Sequence, residues 1–159
     1  MKRSNYRWIV VGLLFLITIT NYIDRASISF AIDKMEHLFH LNDEQMGLIL
    51  GAFGIGYVIT TLLGGIAVDR YGARIILLLG TLLWAISIGL TGLATGFMMV
   101  YVARILLGFA EGPNFPAMTR AIGDWLPVHE RARSLSVSLI AVPLAIAIGS
   151  PIEIGRAHV

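Results

Sequence analysis

Apolar and polar residues alternate along this chain in long blocks. Apolar runs occupy residues 8–32, 45–68, 75–95, 97–122 and 135–152. A helix rises 1.5 Å per residue, so 25 residues such as 8–32 reach ~37 Å and cross a ~30 Å hydrocarbon core with some tilt. The pattern predicts an all-α polytopic membrane bundle of five transmembrane helices. Between the first two runs, residues 33–44 collect Asp33, Lys34, Glu36, His37, His40, Asp43 and Glu44, and read as an exposed loop. Polar turns follow at 69–74 and 124–134, and only residues 92–96 separate the third run from the fourth. The second run carries Gly47, Gly51, Gly54, Gly56, Gly64 and Gly65. In lipid such small residues let helix backbones approach closely, so this helix is expected to pack tightly on a neighbour. Pro113 and Pro116 are expected to kink or break the fourth helix, and Pro143 and Gly149 lie inside the fifth.

Composition agrees with the pattern. Hydrophobic residues make up 57% and charged residues 14%, against roughly 25% charged in soluble domains. The net charge of +2 does not mark a nucleic-acid surface, because the basic residues are spread among the turns. With the N-terminus inside, Lys2, Arg3, Arg7, Arg70, Arg74, Arg120, Arg131 and Arg133 face the cytoplasm and only Lys34 faces out. That bias predicts a multi-pass protein of the cytoplasmic (inner) membrane with a cytoplasmic N-terminus. The first run is too long for a signal-peptide core and is expected to stay as a helix. No cysteine is present, so disulfides, thiolate chemistry and cysteine metal sites are excluded. His37 and His40 read as a solvated pair, and no metal or cofactor is expected. Neither G-x-S-x-G nor H-E-x-x-H occurs, so the chain does not read as an enzyme.

Four charges stand deep within the apolar runs, Asp24 and Arg25 in the first and Arg104 and Glu111 in the fourth, while Arg120 lies at the cytoplasmic end of the fourth. An ionisable group at such depth costs at least ~2.5 kcal/mol and needs a partner, a wet cavity or a task. The alternative to a task for Asp24 and Arg25 is a structural ion pair, or a helix boundary that puts both in the headgroups. Arg104 and Glu111 are seven apart and share a helix face with Gly108. The first helix runs outward and the fourth inward, so all four charges are expected in the middle third, where they sum to zero. Asp24 with Arg104 and Arg25 with Glu111 are the expected pairs, and the reverse pairing stays open. An arginine released from its acid can bind a carboxylate bidentately, and the released acid can take a proton. Proton uptake would thus be coupled to anion binding. Tyr57, in the middle of the second run, reads equally as a packing residue.

The turn Gly65-Ile66-Ala67-Val68-Asp69-Arg70-Tyr71-Gly72-Ala73-Arg74 resembles the major facilitator superfamily signature G-x-x-x-D-R-x-G-R-R, departing at Ala73. The expected latch of that superfamily uses Gly65, Asp69, Arg70, Gly72 and Arg74, with Gly72 permitting the tight turn. More narrowly, three motifs are similar to the anion:cation symporter branch. They are Asn21-Tyr22-Ile23-Asp24-Arg25, the set Arg104, Gly108, Glu111 and Pro116, and Trp125-x-Pro127-x-x-Glu130-Arg131-Ala132-Arg133. The resemblance covers residues 7–149. It implies proton-coupled transport of a sugar acid such as galactonate or glucarate, with proton-carrying roles for Asp24 and Glu111. It implies anion or coupling roles for Arg25 and Arg104 and a cavity-lining role for Tyr57. Sugar-acid members often carry a glutamine near Ala141 or Val142, which this chain lacks. The alternatives are therefore a carrier of a non-sugar carboxylate, aromatic or otherwise, or a membrane sensor or interaction protein that does not transport; sodium in place of protons also stays open.

Superfamily carriers bind near the midplane between two six-helix halves. The expectation is an N-terminal piece, residues 1–152, lacking the sixth helix and the C-terminal half of the same polypeptide and inactive alone. After Pro151 the hydrophobic pattern ends abruptly. Residues 154–159 can be written in codons that resemble a sequencing adapter, so a non-native tail is expected at 153–159.

Overall fold

The computed structural model describes residues 6–157, with the side chains at 30, 32, 33 and 149–157 excepted. Lys2 and Arg3 of the topology count, and the last two residues of the expected tail, lie outside the described residues. The chain folds into helices α1 (Tyr6–Phe39), α2 (Asp43–Tyr71), α3 (Ala73–Gly92), α4 (Phe97–Glu111), α5 (Asn114–Trp125) and α6 (Val128–Ala157). Four segments are each long and apolar enough to cross a membrane: Tyr6–Ser29, Asp43–Tyr71, Ala73–Gly92 and Val128–Ile148. At 15 and 12 residues, α4 and α5 are each short of a span; together, across Gly112 and Pro113, they occupy the stretch where the sequence pattern predicts the fourth. The expected helical membrane bundle is therefore present, with its fourth span broken where the prolines stand.

Besides the turn expected at 69–74, which shrinks to Gly72, three boundaries differ from the sequence reading. The stretch 33–44 is not a loop: α1 continues to Phe39, and Asp43 and Glu44 are already the first turn of α2. The link is reduced to residues 40–42, with His40 at φ 50°. Its shortness follows from a capping box. The Asn42 side chain accepts the Gln45 backbone N–H at 2.8 Å, and the Gln45 side chain accepts the Asn42 N–H at 3.2 Å. The acids at 43 and 44 then face the positive end of the helix dipole. Met35 and Phe39 pack, with Met46, Ala94 and Phe97, on a small core of Leu41, Ile49 and Val100, which is why the polar-looking end of α1 stays helical. The second difference is at 124–134, where the turn shrinks to Leu126 and Pro127. Arg131 donates to the carbonyls of Gly123 (2.8 Å) and Leu126 (3.1 Å), so a side chain meets carbonyls left over at the end of α5. The third is at the C-terminal end, where the backbone stays helical past residue 152 to Ala157.

The chain divides into two compact units. One comprises Lys34–Ala121 and the other Met1–Asp33 with Ile122–Val159. In the first, α4 packs against both α2 and α3, which touch each other little. The α2–α3 turn is made by Gly72 alone, at φ 83°, with its N–H bonded to the Val68 carbonyl at 2.8 Å. A side chain there would be strained. In the second unit the buried stripe of α1 runs Val11, Leu14, Thr18, Asn21 and Ile28, and that of α6 runs Ser134, Ser138, Ala141 and Ala145. Arg7 pairs with Glu130 at 3.1 Å, and the Arg133 guanidinium lies 5.8 Å from the Trp8 ring centre. These contacts tie the start of α1 to the start of α6.

Candidate functional site

The seam between α2 and α4 sets the site, and glycine sets the seam. A Cβ added at Gly108 would meet the Phe53 carbonyl and come within 2.7 Å of the Tyr57 backbone nitrogen. One added at Gly112 would meet the Thr60 hydroxyl and come within 2.8 Å of the Tyr57 carbonyl and 2.9 Å of the Thr61 nitrogen. From the other side, Gly56 faces the backbone of Ile105 and Phe109, and Gly64 faces Pro113. The two helices therefore meet backbone to backbone, and the Tyr57 main chain is wedged between Gly108 and Gly112. Of the six glycines that marked α2, Gly56 and Gly64 make this contact. Gly47, Gly51, Gly54 and Gly65 have open space within the chain.

Hydroxyls reinforce the seam. Thr60 donates to the Gly56 carbonyl at 2.8 Å and approaches the Gly108 carbonyl at 3.3 Å, while Thr61 donates to the Gly112 carbonyl at 3.2 Å. Sequence reasoning passed over both threonines. The available signal was Pro116, which has no N–H for the carbonyl four residues earlier.

Arg104 and Glu111 stand on this packed part of α4, at 7% and 2% exposure. Taking an ionised side chain out of water costs several kcal/mol even after relaxation, so two such groups on an otherwise apolar helix are not neutral filler. Tyr57, Arg104 and Glu111 belong to the same unit and are held in mutual register by the glycine contacts. Asp24 and Arg25 belong to the other unit, where both are half-buried on α1. The Arg25 guanidinium lies 4.9 Å from the Tyr22 ring centre, one turn back on its own helix. Nearby, Thr18 and Ser27 return their hydroxyls to the carbonyls of Leu14 and Ile23 one turn back.

The latch expected at the α2–α3 turn has a different partner from those its motif supplies. Asp69 pairs with Arg120 of α5 at 3.1 Å, and the pair is exposed, with side chains 75% and 47% accessible. Arg70 instead lies over the Tyr71 ring at 5.6 Å, and Arg74 is exposed. Arg120 was visible in the sequence only as one of the cytoplasmic basic residues. Fifty-one positions separate it from Asp69, and no local periodicity joins them. Gly65 contributes no close contact to this turn, whereas Gly72 makes it geometrically feasible.

A family model described as Major Facilitator Superfamily matches residues 14–154. The hexuronate transporter of Bacillus subtilis (strain 168) is 38% identical over 90% of this chain and 34% of its own length. The probable galactarate/D-glucarate transporter of the same organism is 35% identical over 95% of this chain and 34% of its own. Among solved structures, a bacterial homolog of the human lysosomal transporter Spinster, inward-facing and unoccupied, superposes with a TM-score of 0.86. It is 26% identical and covers 92% of this chain and 31% of that one. The chain thus spans about a third of the length of the curated relatives it matches.

Proposed function

The chain belongs to the Major Facilitator Superfamily, and on that footing we propose that the complete polypeptide is a secondary active carrier coupling an organic anion, a sugar acid in the first instance, to protons. The observation that carries this reading is the buried pair Arg104 and Glu111 on apolar α4, held in register with Tyr57 by backbone contact at Gly108 and Gly112. Arg104 supplies a guanidinium fork suited to a carboxylate, and Glu111 supplies a carboxyl able to gain and lose a proton in a dry setting. Asp24 and Arg25 on α1 are proposed for the same two tasks, and Tyr57 as a cavity-lining hydrogen-bond donor. The names of the matched relatives, a hexuronate and a galactarate/D-glucarate transporter, support an acidic sugar as substrate. A second reading, a non-sugar carboxylate, is favoured by the buried Ala141, near which the resemblance to sugar-acid members often implies a glutamine.

The same reading makes the Asp69–Arg120 pair, with Gly72, part of a switch between access states. An exposed pair is worth ~1 kcal/mol or less, so it can open and close in each cycle. It also makes residues 1–152 a part of the N-terminal half of the carrier, with a cytoplasmic N-terminus in the inner membrane. Transport then requires the rest of the polypeptide.

The test is uptake of radiolabelled D-glucarate by the full-length carrier in proteoliposomes under an imposed proton gradient. Accumulation is expected in the wild type. Glu111→Gln is expected to lose gradient-driven accumulation by roughly tenfold or more while retaining exchange of internal for external glucarate. Normal accumulation in both Glu111→Gln and Asp24→Asn refutes proton coupling through these residues.

A further inference from the structure

The prolines at the α4–α5 junction leave backbone acceptors short of a donor: Pro113 has no N–H for the Phe109 carbonyl, and Pro116 has none for that of Gly112. In a continuous helix the Gly112 carbonyl would accept the N–H of residue 116, but residue 116 is proline and has none. The carbonyl lies next to buried Glu111, in a part of the chain where an unmet backbone acceptor costs several kcal/mol. The Thr61 hydroxyl of α2 donates to it at 3.2 Å. The neighbouring Thr60 does not have this role. Its hydroxyl serves the Gly56 carbonyl at 2.8 Å, and the Gly108 carbonyl it also approaches already accepts the Gly112 N–H at 3.0 Å.

We infer that Thr61 is a positioning residue: its hydroxyl stands in for the amide that Pro116 lacks, clamps the α4–α5 break to α2, and so fixes the last turn of α4 that carries Glu111. This deepens the proposed function and rests on it for the role of Glu111, while the clamp itself is a matter of local structure. The surroundings favour a hydroxyl over mere bulk. Gly112 is enclosed by the Thr60 side chain and the Tyr57 and Thr61 backbone, so the break is already filled sterically, and what remains unmet is the hydrogen bond. Valine keeps the shape of threonine and removes that bond; serine keeps the bond and removes a methyl.

The experiment compares wild type, Thr61→Val and Thr61→Ser of the full-length purified protein by amide hydrogen exchange. The readout is the peptide containing Gly112, Asn114, Phe115, Ala117 and Met118, with α3 peptides as the control for global change. Exchange across the break is expected to quicken about threefold or more in Thr61→Val, as for loss of one interhelical hydrogen bond. Thr61→Ser is expected to return to the wild-type rate, with α3 unchanged in both. Wild-type exchange in Thr61→Val, or equally fast exchange in Thr61→Ser and Thr61→Val, overturns the clamp. In the same proteins, D-glucarate uptake at matched protein level is expected to fall with a raised apparent KM in Thr61→Val and to recover in Thr61→Ser. Unchanged uptake alongside faster exchange overturns the link to Glu111. A wild type that takes up no D-glucarate counts against the proposed function, and the exchange rates then decide the clamp alone.

Discussion

At Gly108 one added carbon meets the α2 backbone at both Phe53 and Tyr57, and backbone cannot move aside as a side-chain tip can. Gly108→Ala is therefore expected to destabilise the full-length protein by about 2 kcal/mol or more. Gly89→Ala on α3, where nothing lies within 4 Å, is expected to leave stability unchanged or raise it by up to ~1 kcal/mol through helix propensity. Thermal denaturation of the purified variants checks both, and the opposite order would contradict the seam. The second residue-scale prediction concerns Arg104. Lysine keeps the charge but not the planar fork, so Arg104→Lys is expected to raise the apparent KM for D-glucarate by about tenfold or more at near-normal expression. An unchanged KM in the uptake assay would mean that Arg104 does not hold the carboxylate.

The helix is the scale at which the sequence was most legible, because lipid imposes one rule on long segments: satisfy every backbone group internally and show apolar side chains. Five apolar runs separated by polar turns follow from that rule, although the turn read at 69–74 is Gly72 alone, with α2 running on to Tyr71 and α3 starting at Ala73. Where the reading failed, a second cause competed with polarity. Residues 33–39 are polar but helical because Asn42 and Gln45 cap the next helix and leave only three linking residues, a signal present in the spacing and not used. The site divides in the same manner. Arg104 and Glu111 were legible because charge in an apolar run is conspicuous. Thr61 and Arg120 were not, since hydroxyls are ordinary in membrane helices and the Asp69 partner comes from a distant helix. The break itself gives a prediction. Pro116→Ala restores the missing N–H, so the cost of Thr61→Val, about 1 kcal/mol in the native background, is expected to fall toward zero in Pro116→Ala. A double-mutant cycle by thermal denaturation measures this, and equal costs in the two backgrounds would show the bond to be unrelated to the proline.

For the whole molecule, topology and cycling are the testable properties. Residues 1–159 hold no cysteine; in the full-length protein, with any cysteine elsewhere replaced, a single cysteine at Lys34 is expected to react with an impermeant reagent from outside the cell, and one at Arg74 only after the membrane is opened. The reverse pattern would invert the topology. Asp69→Asn is expected to change stability by no more than ~1 kcal/mol, since its partner Arg120 is exposed. Uptake is expected to slow by about tenfold, the size of a typical coupling between access states, with recovery in the charge swap Asp69→Arg with Arg120→Asp. A stability loss equal to the transport loss would make the pair structural. Substrate-linked proton movement, recorded with a pH indicator outside proteoliposomes of the full-length carrier in sodium-free buffer, bears on the coupling without intermediaries. Adding D-glucarate is expected to make the external medium alkaline in the wild type and to produce no change with Glu111→Gln. Alkalinisation that persists with Glu111→Gln, or uptake that proceeds with no proton movement at all, would contradict coupling through the buried carboxyl of α4.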